Sequence, residues 1–163
     1  MKNKKRTILN LIPLALLIGL SIWVLAIYSD LPQTIPIHYN MAGEPNGWGS
    51  KTNILILLGV LGVLDLFMVG FTLIPRKYAI DFINGAEGCA QEGKELIYDA
   101  SMDTLRIINI FVNLALGYVL VAPLCGYPMN YVWLPVVGIV SVFVWGAVKC
   151  NKIKKMHQTD AKG

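Results

Sequence analysis

Asp65 is the first residue in this sequence whose surroundings suggest chemistry. It is the single charged residue between Asn53 and Pro75, and a carboxylate inside so apolar a run is costly and commonly functional. Further on, Arg106, Asn109, Asn113 and Gly117 recur at intervals of three, four and four, which sets them on one face of a helix. At about 1.5 Å of rise per residue, Asp65 lies about 15 Å and Asn113 about 12 Å from the same end of their helices. The spacing predicts a polar seam between two membrane helices, with Asp65 facing Asn113. Arg106 is too shallow to reach that carboxylate and is expected to extend to the interface. The seam reads either as helix–helix glue, with Asp65 protonated or water-bridged, or as a proton or ion relay. Both readings stay open.

His38, Asn40 and Glu44 form a second polar group, with the residue types of a metal or proton-sensing site. Two of the three are weak or optional ligands, and one histidine does not define a metal site. A structural role is therefore expected, with no metal and no other cofactor. Imidazole titrates near neutrality, so His38 could make its loop pH-sensitive. No nucleophile–base pair, phosphate-cradling glycine loop or paired carboxylate set is present, and enzymatic activity is not expected. Asp99 and Asp103, with Glu92 and Glu95, read as a solvated acidic face. Cys89, Cys125 and Cys150 contain no C-x-x-C pair and read as free thiols.

The elements that must position these residues follow from composition. The 163 residues are 55% hydrophobic and 15% charged, with a mean hydropathy of +0.57. Soluble domains carry about 25% charged residues. This balance excludes an ordinary soluble enzyme, a disordered chain and a disulfide scaffold. The apolar residues are blocked into four runs, at about 7–29, 53–75, 105–124 and 131–148. A helix needs about 20 apolar residues to cross a bilayer, and lipid requires the backbone to satisfy its own hydrogen bonds. The expected fold class is all-α, a polytopic membrane protein with four transmembrane helices. The first run exceeds the about 7–15 apolar residues of a signal peptide and reads as a retained anchor.

Thirteen of the fourteen Lys and Arg residues fall on one side of such a topology, Lys51 being the exception. The positive-inside bias then puts both termini and the 76–104 connection in the cytoplasm of a cell-membrane protein. The net charge of +4 is assigned to topology and anionic headgroups, with no nucleic-acid partner. Gly85, Gly88 and Gly93 make the first half of the connection irregular. From Gln91 onward, Leu96, Ile97, Ala100 and Leu105 fit helical spacing. The chain divides into a unit at 1–75, the connection at 76–104, a second hairpin of spans at 105–148 and a basic tail at 149–163. Gly59 with Gly62, and Gly138 with Ser141 and Trp145, are candidates for close helix packing.

The least hydrophobic stretch of the outer side, residues 31–51, is dense in prolines and glycines. Pro32, Pro36 and Pro45 fix φ, and Pro45-Asn46-Gly47 is a turn signal. Trp48 and Lys51 suit a membrane–water interface. The run L-P-x-x-I-P-x-H-x-N followed by G-x-P-x-G-W-G-S-K resembles the bacterial membrane domain of unknown function 1648, DUF1648. That domain is related to the N-terminal part of SdpI-type immunity proteins. Leu31, Pro32, Ile35, Pro36, His38, Asn40, Gly43, Pro45, Gly47, Trp48, Gly49, Ser50 and Lys51 fall on the pattern. The likeness covers roughly residues 10–75 and is only topological beyond 76.

The resemblance implies a polytopic protein that protects its cell from a secreted toxic peptide and can hold a repressor at the membrane. The leading expectation is thus an SdpI-like immunity or envelope-stress protein. Its partners would be the lipid bilayer, a toxic peptide or envelope component met by the outer loop, and a regulator inside. Alternatives are a small transporter or ion-coupled subunit using Asp65, and a structural assembly subunit. Homo-oligomerisation stays open.

Overall fold

Each apolar run becomes a helix; the first, third and fourth extend well past the run at one end, whereas the second, Thr52–Leu73, stays close to its run. The computed structural model describes residues 2–79 and 88–159. In chain order these form α1 (Lys2–Ile27), β1 (Thr34–Tyr39), β2 (Pro45–Ser50), α2 (Thr52–Leu73), the single turn α3 (Arg76–Ala79) and α4 (Gln91–Cys125). A 3-10 turn (Met129–Val132) then leads into α5 (Trp133–Thr159). The chain is 78% helical, and α1, α2, α4 and α5 are long and apolar enough to cross a membrane.

The boundaries differ from expectation at the charged ends. Helix α1 begins within the basic N-terminal run, and α5 continues to Thr159 through residues expected to form a separate tail. Lysine is a good helix former, so neither basic segment resists extension of the adjoining span. Helix α4 begins at Gln91, as the spacing predicts, and runs unbroken for 35 residues into the third span. Of the half expected to be irregular, residues 80–87 with Gly85 lie outside the described residues, Arg76–Ala79 forms a helical turn, Gly88 takes φ +75°, and Gly93 falls inside α4 instead.

Helix α4 is the element against which the other three spans pack. Its contact with α5 is close because glycines of α5 lie over bulkier side chains of α4. Gly138 lies over the Phe111 ring, and a Cβ built at Gly146 would stand 2.5 Å from Thr104 Cγ2. The expected face of Gly138, Ser141 and Trp145 is therefore only partly used. Ser141 turns back to its own helix, donating to the Val137 carbonyl at 2.8 Å, and Trp145 remains half exposed. A Cβ built at Gly62 would stand 3.8 Å from Leu17 of α1, while one built at Gly59 would meet nothing within 4 Å.

The connection between α1 and α2 is a two-stranded antiparallel hairpin with irregular register around His38. Pro36 is tolerated in it because a two-stranded ribbon consists of edges. Ile35 of β1 is buried with Val24, Ile54 and Leu120 in one apolar cluster. That cluster fixes the hairpin to the adjoining ends of α1, α2 and α4.

Candidate functional site

The seam residues meet two turns inside the C-terminal end of α2. Asp65 is fully buried, and Asn109 and Asn113 are 2% and 4% exposed. Asn113 Nδ2 donates to Asp65 Oδ1 at 2.6 Å and to the Asn109 carbonyl at 3.1 Å. The Asn109 side-chain amide also points a hydrogen bond at the Asp65 carboxyl. Asp65 Oδ2 and Asn109 Oδ1 are buried without a hydrogen-bond partner. Gly117, on the same face of α4, meets Leu20 of α1 instead.

Arg106 does not extend to the interface. It is 7% exposed and donates to three helices' worth of acceptors. Its Nη1 reaches Asp103 Oδ1 at 3.1 Å, its Nε reaches Asn10 Oδ1 at 3.2 Å, and its Nη2 reaches the Thr72 carbonyl at 3.0 Å. The Thr72 hydroxyl donates to Asn10 Oδ1 as well, at 3.2 Å. The physical reason is the end of α2, whose last-turn carbonyls have no intrahelical donor and are capped from α4. Tyr98 repeats the device one turn away, donating to the Ile74 carbonyl at 2.5 Å.

Asp99 and Asp103 likewise do not form a solvated face. Arg6 of α1 pairs with Asp103 Oδ1 at 2.9 Å and with Asp99 Oδ1 at 3.0 Å, and Asp99 is buried. Arg6, Asn10, Thr72 and Tyr98 carry no local sequence signal for this role. Their partners lie 24 to 97 residues away in the chain, and only folding brings them together.

At the other end of the bundle the hairpin places the signature residues. The Asn40 side chain builds the turn. Its Oδ1 accepts from the backbone N–H groups of Ala42 and Glu44, each at 2.9 Å, and its Nδ2 donates to Glu44 Oε2 at 3.0 Å. Gly43 closes the turn at φ +81°, a region that favours glycine. His38 hydrogen-bonds Asn46 across the strands, so Asn40 and Glu44 pair together while His38 pairs elsewhere. Pro36 stands opposite Trp48, Ile35 opposite Gly49, and Pro45 opposite Tyr39. Met41 and Trp48 are 93% and 61% exposed.

Asn40→Ala is expected to loosen this turn by about 1–2 kcal/mol, because three hydrogen bonds of about 1 kcal/mol or less each are lost in a solvated setting. Faster amide exchange at Ala42 and Glu44, with α2 unaffected, is the measurement that checks it.

Lys51 closes the hairpin. Its Nζ donates to the carbonyls of Tyr28 and Leu31 at 3.0 and 3.2 Å and lies 4.7 Å from the Tyr28 ring centroid. Its own N–H donates to the Gln33 carbonyl at 3.0 Å. The ammonium thus caps the C-terminal end of α1, where a cation complements the helix dipole.

Under β1 lies a cavity of about 330 Å³, walled by Ile35, Ile37 and Tyr39 of the hairpin, Ile54 and Leu57 of α2, and Val119, Leu120 and Pro123 of α4. Tyr39 also lines the neighbouring cavity toward Asn130; its hydroxyl is buried without a partner, and burial pushes that phenol's pKa up. Pro123 has no N–H to give the Val119 carbonyl, its partner four residues back. The lining is mainly apolar, with Tyr39 and Asn53 as its polar residues.

Residues 14–63 match DUF1648, a domain of unknown function. The matched segment takes in the second half of α1, the whole hairpin and the first half of α2. It includes Lys51 and the β1 wall of the cavity, and it ends two residues short of Asp65. An uncharacterized protein of Archaeoglobus fulgidus is 41% identical over 73 residues, which are 42% of this chain. The chain spans 38% of the length of that relative. No solved structure matches.

Proposed function

We propose that this membrane protein is an SdpI-like immunity protein, without enzymatic activity, whose hairpin receives an apolar segment of a secreted toxic peptide. In this reading the hairpin faces outward from the cell membrane and both termini face the cytoplasm, in keeping with the thirteen basic residues of that side. The observation that carries it is the cavity under β1. Its mainly apolar walls suit a hydrophobic side chain, and Tyr39 and Asn53 among its lining residues offer polar groups to a peptide N–H or C=O. Its volume falls at the small end of ligand pockets, which begin near 300 Å³. Met41 and Trp48 add exposed apolar surface on the same hairpin.

The test is deletion of the gene followed by challenge with culture supernatant of sibling cells. The deletion strain should lose viability, the intact gene should restore it, and His38→Ala, Trp48→Ala and the cavity-filling Ile37→Trp should not. Equal survival of the deletion strain and its parent overturns the reading. The alternative, a small transporter or ion-coupled subunit, rests on the buried carboxylate of Asp65.

A further inference from the structure

One face of α5 is turned away from the rest of the bundle and changes character along its length. Cys150 and Ile153 pack on the cluster of Cys89 and Ile97, and a Cβ built at Gly93 of α4 would run into His157. These three residues of α5 mark its inner side. At about 3.6 residues per turn, Val137, Val144, Val148, Asn151 and Lys155 fall in one line along the opposite side. The three valines are more than half exposed. Beyond them opens a groove of about 540 Å³ lined, among the described residues, by Val148, Asn151, Lys152, Lys155 and Met156. The last four of these are exposed.

The lengths match one leaflet. Val137 to Val148 covers about 16 Å, against about 15 Å for half of a hydrocarbon core. Lys152 stands about 6 Å further along and Lys155 about 10 Å. Their long stems let both ammonium groups reach the headgroup layer. One turn inward, Lys149 Nζ lies 4.8 Å from the centroid of the Trp145 ring, a half-exposed indole of the kind that settles at a membrane–water interface.

The charge is one-sided. From Trp133 to Thr159, α5 carries four lysines and no acidic residue. On α4, Asp99 and Asp103 are already paired with Arg6 and Arg106. A soluble anion would use the lysines and leave the valine row without a role. A phospholipid presents apolar chain and phosphate in the same order as the helix presents valines and lysines. A choline headgroup would set its own cation against Lys149, Lys152 and Lys155, whereas a net anionic headgroup brings none.

We propose that this face of α5 binds one anionic phospholipid, an acyl chain lying along Val137, Val144 and Val148 and the phosphate held between Lys152 and Lys155, with the Asn151 amide as a further donor. The site is independent of what the hairpin receives. It ties the end of α5 to the membrane surface on the side of the termini.

The experiment is native mass spectrometry of the full chain in detergent, titrated with phosphatidylglycerol or phosphatidylcholine of matched chains. Phosphatidylglycerol should bind the more tightly. A lysine beside an anionic lipid surface contributes about a fivefold preference, so Lys152→Gln with Lys155→Gln should weaken that binding about twenty-five-fold. The paired change to arginine should retain it. Lys4→Gln with Lys5→Gln removes the same charge from the exposed start of α1 and should leave the affinity within about twofold. Position is read from a chain keeping Trp145 alone, with Trp23, Trp48 and Trp133 changed to Phe. Its fluorescence should be quenched more by brominated phosphatidylglycerol than by brominated phosphatidylcholine at equal mole fraction. Should that variant fail to fold, the titration with the lysine pairs decides. Equal affinity for the two lipids overturns the proposal, as does equal weakening by the α1 and α5 pairs, or equal quenching of Trp145. Displacement of the lipid by millimolar inorganic phosphate also overturns it, since the lysines would then be a plain anion site.

Discussion

Arg106→Met is expected to destabilise the folded chain by about 3–5 kcal/mol, the range for removing one partner of a buried ion pair. Methionine fills much of the volume but donates nothing. Asp103 keeps only Arg6, while Asn10 Oδ1 and the Thr72 carbonyl each lose a charged donor. The end of α2 is thereby uncapped and its hold on α1 through Asn10 weakened. Arg106→Lys should recover little of the loss, because one ammonium cannot imitate a planar fork aimed at three acceptors. Reversible denaturant unfolding in mixed micelles measures the difference. Exposed Lys77 of α3 provides the reference, Lys77→Met shifting stability by no more than about 0.5 kcal/mol. An Arg106→Met protein as stable as its parent would show that the three-helix node contributes nothing.

Lys51→Met acts at the opposite end and is expected to free the hairpin from the bundle at about 3 kcal/mol, as hydrogen bonds from charged groups are worth about 1.5–3 kcal/mol each in partly buried places. The carbonyls of Tyr28 and Leu31 lose their shared donor, and the Tyr28 ring loses its cation. At about 1.4 kcal/mol per tenfold, hairpin opening should become about a hundred times more frequent. Amide exchange and proteolysis between Thr34 and Ser50 report it directly. The helices should exchange as before, because Ile54, Leu120 and Val24 still pack with one another. Unchanged protection of the hairpin would mean that burial of Ile35 alone holds it.

These two basic residues also mark how far the sequence could be read. The four spans were plain because a long apolar run has few alternatives to a helix in lipid. The start of α4 at Gln91 was plain because Leu96, Ile97 and Ala100 keep helical spacing. The facing of Asp65 and Asn113 came from counting rise along two helices that share an end. The place of Arg106 was misread because depth along one helix says nothing about what covers it, and the ends of α1 and α2 cover it. Asn10 and Thr72 are unremarkable polar residues until those ends converge. The hairpin was visible only as an ordered loop. Its strands are six residues each, one interrupted by Pro36 and the other holding Gly47 and Gly49, so strand propensity is low on both sides. What holds them is the turn built by Asn40 and the anchorage of Ile35, neither of which is a propensity.

Helix α4 has a consequence for how the two ends communicate. Its 35 residues span about 52 Å at 1.5 Å per residue, well beyond a hydrocarbon layer of about 30 Å. One end helps wall the cavity under the hairpin and the other carries the aspartates that grip Arg6. A helix of that length converts inclination into travel. Pivoting about its Cys125 end, it sweeps Gln91 by about 1 Å for every degree of tilt. Membrane helices adjust tilt when bilayer thickness changes, and on a helix of this length a small tilt at one end becomes a displacement of several ångströms at the other.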